Sequence, residues 1–328
     1  VKRFVRSEIG AAVLWVIGSF VLGAAIAPWL YQVGKAFGDF TATDDFSHLI
    51  ESVGGSCRRA GFGRYFNRGL MLSALVLLPF LLRRLRFLRA ENTGGGHRLW
   101  EKLPWQRALI HILLGGLIAI GVAWGSASLL ESMGYFASNR NSSAFGRIIS
   151  KVLVPAVAVS LVEEWLFRGL LLGLWLRYAR PFSAFIGASI LFAVLHFVEP
   201  PQEWKIIDPT HWLAGFSLLG GILVHFSCGV FIVSEFIPML AVGLALAWAR
   251  LRSGALWLPI ALHAGWIIAL KGFFMTHNLV KAMKPDPLLL GIGDMRTGLW
   301  LLIPLGLTVA LCHVVIKAAD GRDGNSMR

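Results

Sequence analysis

Residues 152–175 read VLVPAVAVSLVEEWLFRGLLLGLW. As an α-helix this run is about 36 Å long, enough to cross a hydrocarbon core of about 30 Å. Yet Glu163, Glu164 and Arg168 stand in its middle. An ionisable side chain at that depth costs roughly 2.5–3.5 kcal/mol on insertion scales. Three such groups so close together need a reason, and the first reason to examine is a functional site.

The rest of the chain sets the same environment. It has 328 residues, of which 56% are hydrophobic and only 15% charged, against about 25% charged in soluble domains. Lipid offers a backbone no hydrogen bonds, so membrane spans are helices or closed barrels. The apolar runs here are about 20 residues long and do not alternate, which selects helices. The expected fold is therefore all-α: a polytopic bundle of about eight transmembrane helices plus one non-crossing membrane segment. The expected spans are 9–33, 70–88, 107–130, 152–176, 183–198, 236–251, 255–274 and 298–317. The basic N-terminal residues followed by a long apolar run read as an uncleaved first span.

The formal charge of +13 does not point to nucleic acid. Its densest group, Arg83, Arg84, Arg86 and Arg89, directly follows an apolar run and reads as a cytoplasmic anchor facing anionic headgroups. Placing this and the other basic clusters (2–6, Arg177/Arg180, Arg250/Arg252 and 317–328) in the cytoplasm puts both termini there. It also requires an even number of crossings between Arg180 and Arg250. Segment 211–233, interrupted by Gly215, Gly220, Gly221, His225, Ser227, Cys228 and Gly229, is then expected to enter or lie on the membrane without crossing. The loop 34–69 breaks the charge bias, carries several Arg, and is expected to hold either an interfacial amphipathic helix or an ordinary solvated loop. The tract 91–104 reads as a linker, Pro200–Pro201 and Pro209 as a rigid turn, and the polar tail 320–328 as disordered. Cys57, Cys228 and Cys312 form no metal-spaced pair.

Helix geometry sorts the three buried charges. Glu164 and Arg168 are four apart, with the acid on the N-terminal side, and should pair. Glu163 is rotated about 100° from Glu164. It is left as a candidate general base. Phe192 and His196 stand near the end of the fifth expected span. His263 lies inside the seventh, beside Gly265, which permits close helix approach. One polar knot bracing the bundle is the competing reading. His225, Glu235 and Glu199 read as rim or loop groups that could line a substrate entry.

Glu163-Glu164-x-x-x-Arg168, then Phe192-x-x-x-His196, then His263 after the turn Arg252-Ser253-Gly254-Ala255-Leu256-Trp257, resembles the CPBP family. These are intramembrane proteases comprising the type 2 CAAX prenyl endopeptidases and the bacteriocin-processing Abi proteins. The resemblance spans roughly 150–275. It implies an intramembrane endopeptidase acting on a membrane-anchored peptide or protein. Glu163 and His196 would activate water, His263 would hold the oxyanion, and Glu164, Arg168 and Phe192 would support them. It implies a bacterial plasma-membrane protein whose partners are lipids and the anchored substrate.

Where the family usually has a polar residue four after the His, this chain has Ile267. The Trp266 indole and His225 are the candidates for a substitute donor. Without one, the resemblance implies a catalytically weak or inactive adaptor or immunity protein of the same fold. A proton- or ion-coupled carrier is a third reading, disfavoured by the lack of an inverted repeat. Glu163, His196 and His263 could form a three-ligand zinc site. Arg168 one turn away, and the lack of a His pair at zinc spacing, favour a metal-free mechanism without cofactor. The expected organisation is an N-terminal membrane region (1–150), a protease-like core (151–275), and a last span with its tail (276–328).

Overall fold

The computed structural model describes residues 8–43, 47–91, 103–139, 149–178, 180–197, 204, 206–280, 283, 286–291 and 295–325. Among them the architecture is all-α apart from one antiparallel pair of three-residue strands, β1 (Phe136–Ser138) and β2 (His277–Leu279). Six helical stretches are long and apolar enough to cross a membrane: Gly10–Phe40, Phe62–Arg84, Trp105–Ser132, Gly229–Ser253, Trp257–Thr276 and Leu299–Ile316. Two shorter apolar helices, Pro181–His196 and Ala214–His225, accompany them. The protein is an integral membrane protein.

The chain forms two compact units, Val1–Gly95 with Leu195–Cys228, and Gly96–Val194 with Gly229–Arg328. In the first, α1 (Glu8–Phe40) runs along α3 (Phe62–Glu91), and the amphipathic α2 (His48–Arg59) lies between them in sequence. So loop 34–69 does contain a helix. The α1–α3 contact is close because a glycine stands on each side of it, Gly23 on α1 and Gly69 on α3. A Cβ on Gly69 would sit 2.9 Å from the Gly23 carbonyl oxygen, and one on Gly23 would sit 2.9 Å from the Leu70 backbone. Without a hydrophobic drive between helices in lipid, such small-residue seams supply the packing. The buried core of this unit is Ala24, Ala27, Phe62, Phe66, Ala214, Leu218 and Ile222.

The second unit holds α4 (Trp105–Ser132), α5 (Val154–Glu164), α6 (Leu172–Tyr178) and α7 (Pro181–His196), whose last two residues fall in the first unit. The first unit also takes in α8 (Ala214–His225). The second unit ends with α9 (Ile237–Ser253), α10 (Trp257–Thr276) and α11 (Leu302–Asn325). Gly254 (φ +68°) ends α9 in the left-handed conformation that glycine adopts most readily, and its N–H bonds to the Arg250 carbonyl. The chain then re-enters as α10. There α10 packs along α4: a Cβ on Gly265 would stand 2.7 Å from Ala119 Cβ and 3.0 Å from the Gly116 oxygen. The far ends of this pair are clasped by the β1–β2 ribbon and by His277 Nε2, 3.2 Å from Glu131 Oε1.

Four expectations change. The span expected at 152–176 is not one uniform α-helix. It is built as π-helix Ile149–Leu153, then α5, then π-helix Trp165–Leu171, then α6. Segment 211–233 divides: α8 is only about 18 Å long, and residues from Gly229 onward already belong to the next span. A π-helical stretch, Ile232–Phe236, precedes α9. Prolines account for two of these distortions. Pro155 and Pro238 sit in the first turns of α5 and α9, and neither can donate to the preceding turn, which widens instead. The polar tail does not part from the last helix where expected: α11 continues to Asn325. Most of the linker 91–104, together with Pro200, Pro201 and Glu199, lies outside the described residues.

Glycine contacts give a paired test. Gly265→Ala should destabilise the detergent-solubilised protein by about 1–3 kcal/mol through overpacking. Gly121→Ala, in α4 with open space around it, should be neutral or stabilise by up to about 1 kcal/mol through helix propensity. Thermal unfolding of the two variants checks the contrast.

Candidate active site

Two adjacent carboxylates at the end of α5 meet one imidazole from α10. Glu164 is fully buried, Arg168 is 3% exposed, and the Glu163 side chain is 28% exposed. Arg168 Nη1 donates to Glu164 Oε1 at 2.9 Å, as their spacing requires. Arg168 Nη2 donates to the Gly243 carbonyl at 3.1 Å, tying the π-helix Trp165–Leu171 that follows α5 to α9. The approach of α9 depends on Gly243 itself, where a Cβ would meet the Ser189 oxygen at 3.0 Å and the Phe192 ring at 3.2 Å.

His263 Nδ1 lies 2.9 Å from the same Glu164 Oε1. Its other nitrogen, Nε2, stands 3.9 Å from Glu163 Oε2. That distance is too long for a hydrogen bond, but an oxygen atom to one side can reach both groups. An ionised carboxylate held by a guanidinium only accepts, so His263 Nδ1 is assigned as the donor toward Glu164. The ring is thereby oriented with Nε2 toward Glu163. A third polar group, the fully buried Ser160 hydroxyl, lies one turn before Glu164 on the same helix.

Aromatic rings close the site. The Arg168 guanidinium lies 4.1 Å from the Phe192 ring centroid, a cation–π contact that is strongest where water is excluded. Phe192, itself fully buried, stands edge-to-face with Phe167 at 5.1 Å and 6.3 Å from the His263 ring. Glu164, Arg168 and His263 are therefore packed against Phe167 and Phe192 where α5 and α10 meet. The stretch of chain bearing Arg168 is itself the π-helix Trp165–Leu171, a backbone irregularity frequent at functional sites.

Within the second unit the structure thus brings together Glu163, Glu164, Arg168, Phe192 and His263. Trp266 and Ile267 follow on α10, both half-buried. His196 closes α7 and, with His225 at the end of α8, belongs to the first unit. Glu235 lies in the π-helix that precedes α9. Sequence reasoning missed the bond from His263 to Glu164. It treated the two glutamates as serving different partners, because they point about 100° apart on a helix. A single imidazole with nitrogens on opposite edges serves both.

A catalytic zinc takes three protein ligands. Glu163 Oε2 and His263 Nε2 are two donors, and His263 Nδ1 is committed to Glu164. Among the described residues no three His, Cys, Asp or Glu side chains group to hold a metal. Glu163 and His263 thus fall one ligand short of a zinc site, and these residues do not fit one.

Removing one partner of a buried ion pair strands the other. Arg168→Met should cost about 3–5 kcal/mol, and adding Glu164→Gln to it should recover part of that loss. Thermal unfolding of the single and double variants measures both.

Comparison with known proteins follows the same stretch of chain. Residues 145–269 match the family model of the type II CAAX prenyl endopeptidase Rce1-like proteins. No curated protein and no solved structure matches the chain. The match covers well under half of the 328 residues but includes all of Glu163, Glu164, Arg168, Phe192, His196 and His263. From residue 145 to residue 269 this membrane protein carries an Rce1-like type II CAAX prenyl endopeptidase family domain.

Proposed function

We propose that the protein is an intramembrane endopeptidase that hydrolyses a peptide bond in a membrane-anchored protein or peptide. The observation that carries this reading is the paired approach of Glu163 and Glu164 to the two nitrogens of His263, in a buried site inside a stretch that matches a protease family.

In this reading Glu163 takes a proton from water, and the resulting hydroxide attacks the carbonyl carbon. With both ring nitrogens protonated, His263 donates from Nδ1 to Glu164 and from Nε2 to the developing oxyanion. Glu163 then passes its proton to the departing amine as the C–N bond breaks. Holding the donor in place before reaction is what lowers the barrier, since no reorganisation is needed when charge develops. Arg168 fixes Glu164 by its hydrogen bond and Phe192 packs on the guanidinium, so they position His263 rather than touch substrate. His196 joins Glu163 in activating water. Its support is the sequence pattern and its place on α7 four residues after Phe192, on the same helix face.

The protease-like core is 151–275, framed by the N-terminal membrane region and the last span with its tail. The run 149–178 and α7 complete eight crossings, with the bilayer thinned around α7, which is only about 24 Å long. α8 does not cross. Both termini then face the cytoplasm of a bacterial cell.

Ile267 favours a second reading, a weak or inactive adaptor or immunity protein of the same fold, because Ile supplies no hydrogen-bond donor one turn from His263. Loss of an oxyanion donor costs about 2.7–4 kcal/mol of transition-state stabilisation. The two readings separate on one comparison. Membranes containing wild-type protein or Glu163→Gln are profiled for new protein termini, with a prenyl-cysteine peptide added as a defined probe. The protease reading expects products from wild type that fall by at least about 10²-fold in the variant. Identical termini in both preparations would sink it. An Ile267→Asn variant that gains cleavage over an inactive wild type would identify the missing donor as the cause.

A further inference from the structure

The first unit gathers cations at an end where the charge bias of membrane proteins does not place them. α3 carries Arg64 and Arg68 in its first turns and reaches Arg83 nineteen residues beyond Arg64, with Arg84 next to it. That separation is about 28 Å along a helix, close to the thickness of a hydrocarbon core of about 30 Å. One helix therefore carries arginine at both membrane interfaces. The Arg83 end satisfies the positive-inside bias, so the other end runs against it and calls for a ligand that rewards positive charge there.

The local packing draws that end into one patch. Lys35 Nζ of α1 donates to the Arg58 carbonyl at 2.5 Å, and Tyr65 OH of α3 donates to the Cys57 carbonyl at 2.8 Å. The last turn of α2 is thus pinned between the end of α1 and the start of α3. Arg58, Arg59, Arg64 and Arg68 around this junction are all exposed. None of them, nor Lys35, forms an ion pair with a described carboxylate. Leading up to the patch, α1 exposes Trp29, Val33 and Phe37, spaced four apart along one face, and α2 exposes Ile50 and Val53.

We propose that this patch binds the headgroup phosphate of an anionic glycerophospholipid through Arg58, Arg59 and Arg64. The acyl chains lie along the Trp29–Val33–Phe37 face. Charge complementarity selects the occupant. Guanidinium forks match phosphate oxygens in a bidentate way, and the apolar stripe running away from them matches a tail, which a free anion or a soluble acidic partner lacks. α2 then acts as an interfacial helix held by lipid as well as by α1.

Native mass spectrometry of the purified full-length protein tests this. An Arg83→Gln/Arg84→Gln background removes the competing basic end, and phosphatidylglycerol and phosphatidylcholine are supplied in equal amounts. The background should retain phosphatidylglycerol at least about fivefold over phosphatidylcholine, the weight of one basic side chain near an anionic surface. Adding Arg58→Gln/Arg59→Gln/Arg64→Gln should bring that ratio near one. An unchanged ratio overturns the proposal. If the combined variant does not give folded protein, a salt titration of the background decides. The preference should fall as sodium chloride rises, and a salt-independent preference overturns the proposal. Retention of inorganic phosphate or of an acidic peptide in place of the lipid also overturns it.

Discussion

One carboxylate oxygen organises the second unit. Glu164 Oε1 accepts from Arg168 and from His263 at the same 2.9 Å, and the residue is wholly shielded from solvent. A lone charge in that place would not be tolerated. Neutralised from two sides, it joins α5 to α10, and through the other arm of Arg168 it joins both to α9 at the Gly243 carbonyl. Three helices from separate parts of the chain are therefore registered by one acid. Disturbing its partners disturbs the ring that faces Glu163.

That arrangement divides labour between neighbours in sequence. Glu164 is buried, doubly held and unable to approach a substrate. Glu163 keeps partial exposure and faces the free edge of the imidazole. Adjacent positions on a helix ordinarily look in different directions. In the mechanism proposed above the difference separates a positioning acid from a reacting one, and His263 bridges them. The arrangement follows the general logic by which an imidazole is aimed by the group bonded to its far nitrogen.

Much of this was legible from residues. The Glu164–Arg168 pair follows from spacing alone, because helical positions four apart must meet. The helix within 34–69 was one of two readings that mixed charge and apolar side chains between two spans left open, and the structure selects it. The contact of His263 with Glu164 was not legible, since it joins residues 99 apart and depends on the α4–α10 and α5–α10 packing. The π-helical stretches were missed because apolar periodicity does not distinguish a widened turn from an ordinary one. Pro155 and Pro238 did carry a signal for two of them. The start of the span at Gly229 was hidden because Ser227 and Cys228 looked like a continuing interruption, while the structure confines the break to that short turn.

The π-helix Trp165–Leu171 has an implication for how this segment can change. A widened turn holds one residue more than regular winding would. Loss of a single residue from it could leave a smoother helix of greater intrinsic stability. Every side chain beyond the deletion would then swing by about 100° relative to those before it. If the lost residue lay between Glu164 and Arg168, the pair would stand three apart and still be neighbours, but Arg168 would turn away from the Gly243 carbonyl and the Phe192 ring that it now meets. The irregularity is thus a frame constraint on length, and single-residue gaps between positions 164 and 168 should be far less tolerated in descendants of this chain than substitutions at the lipid-facing sites beside them.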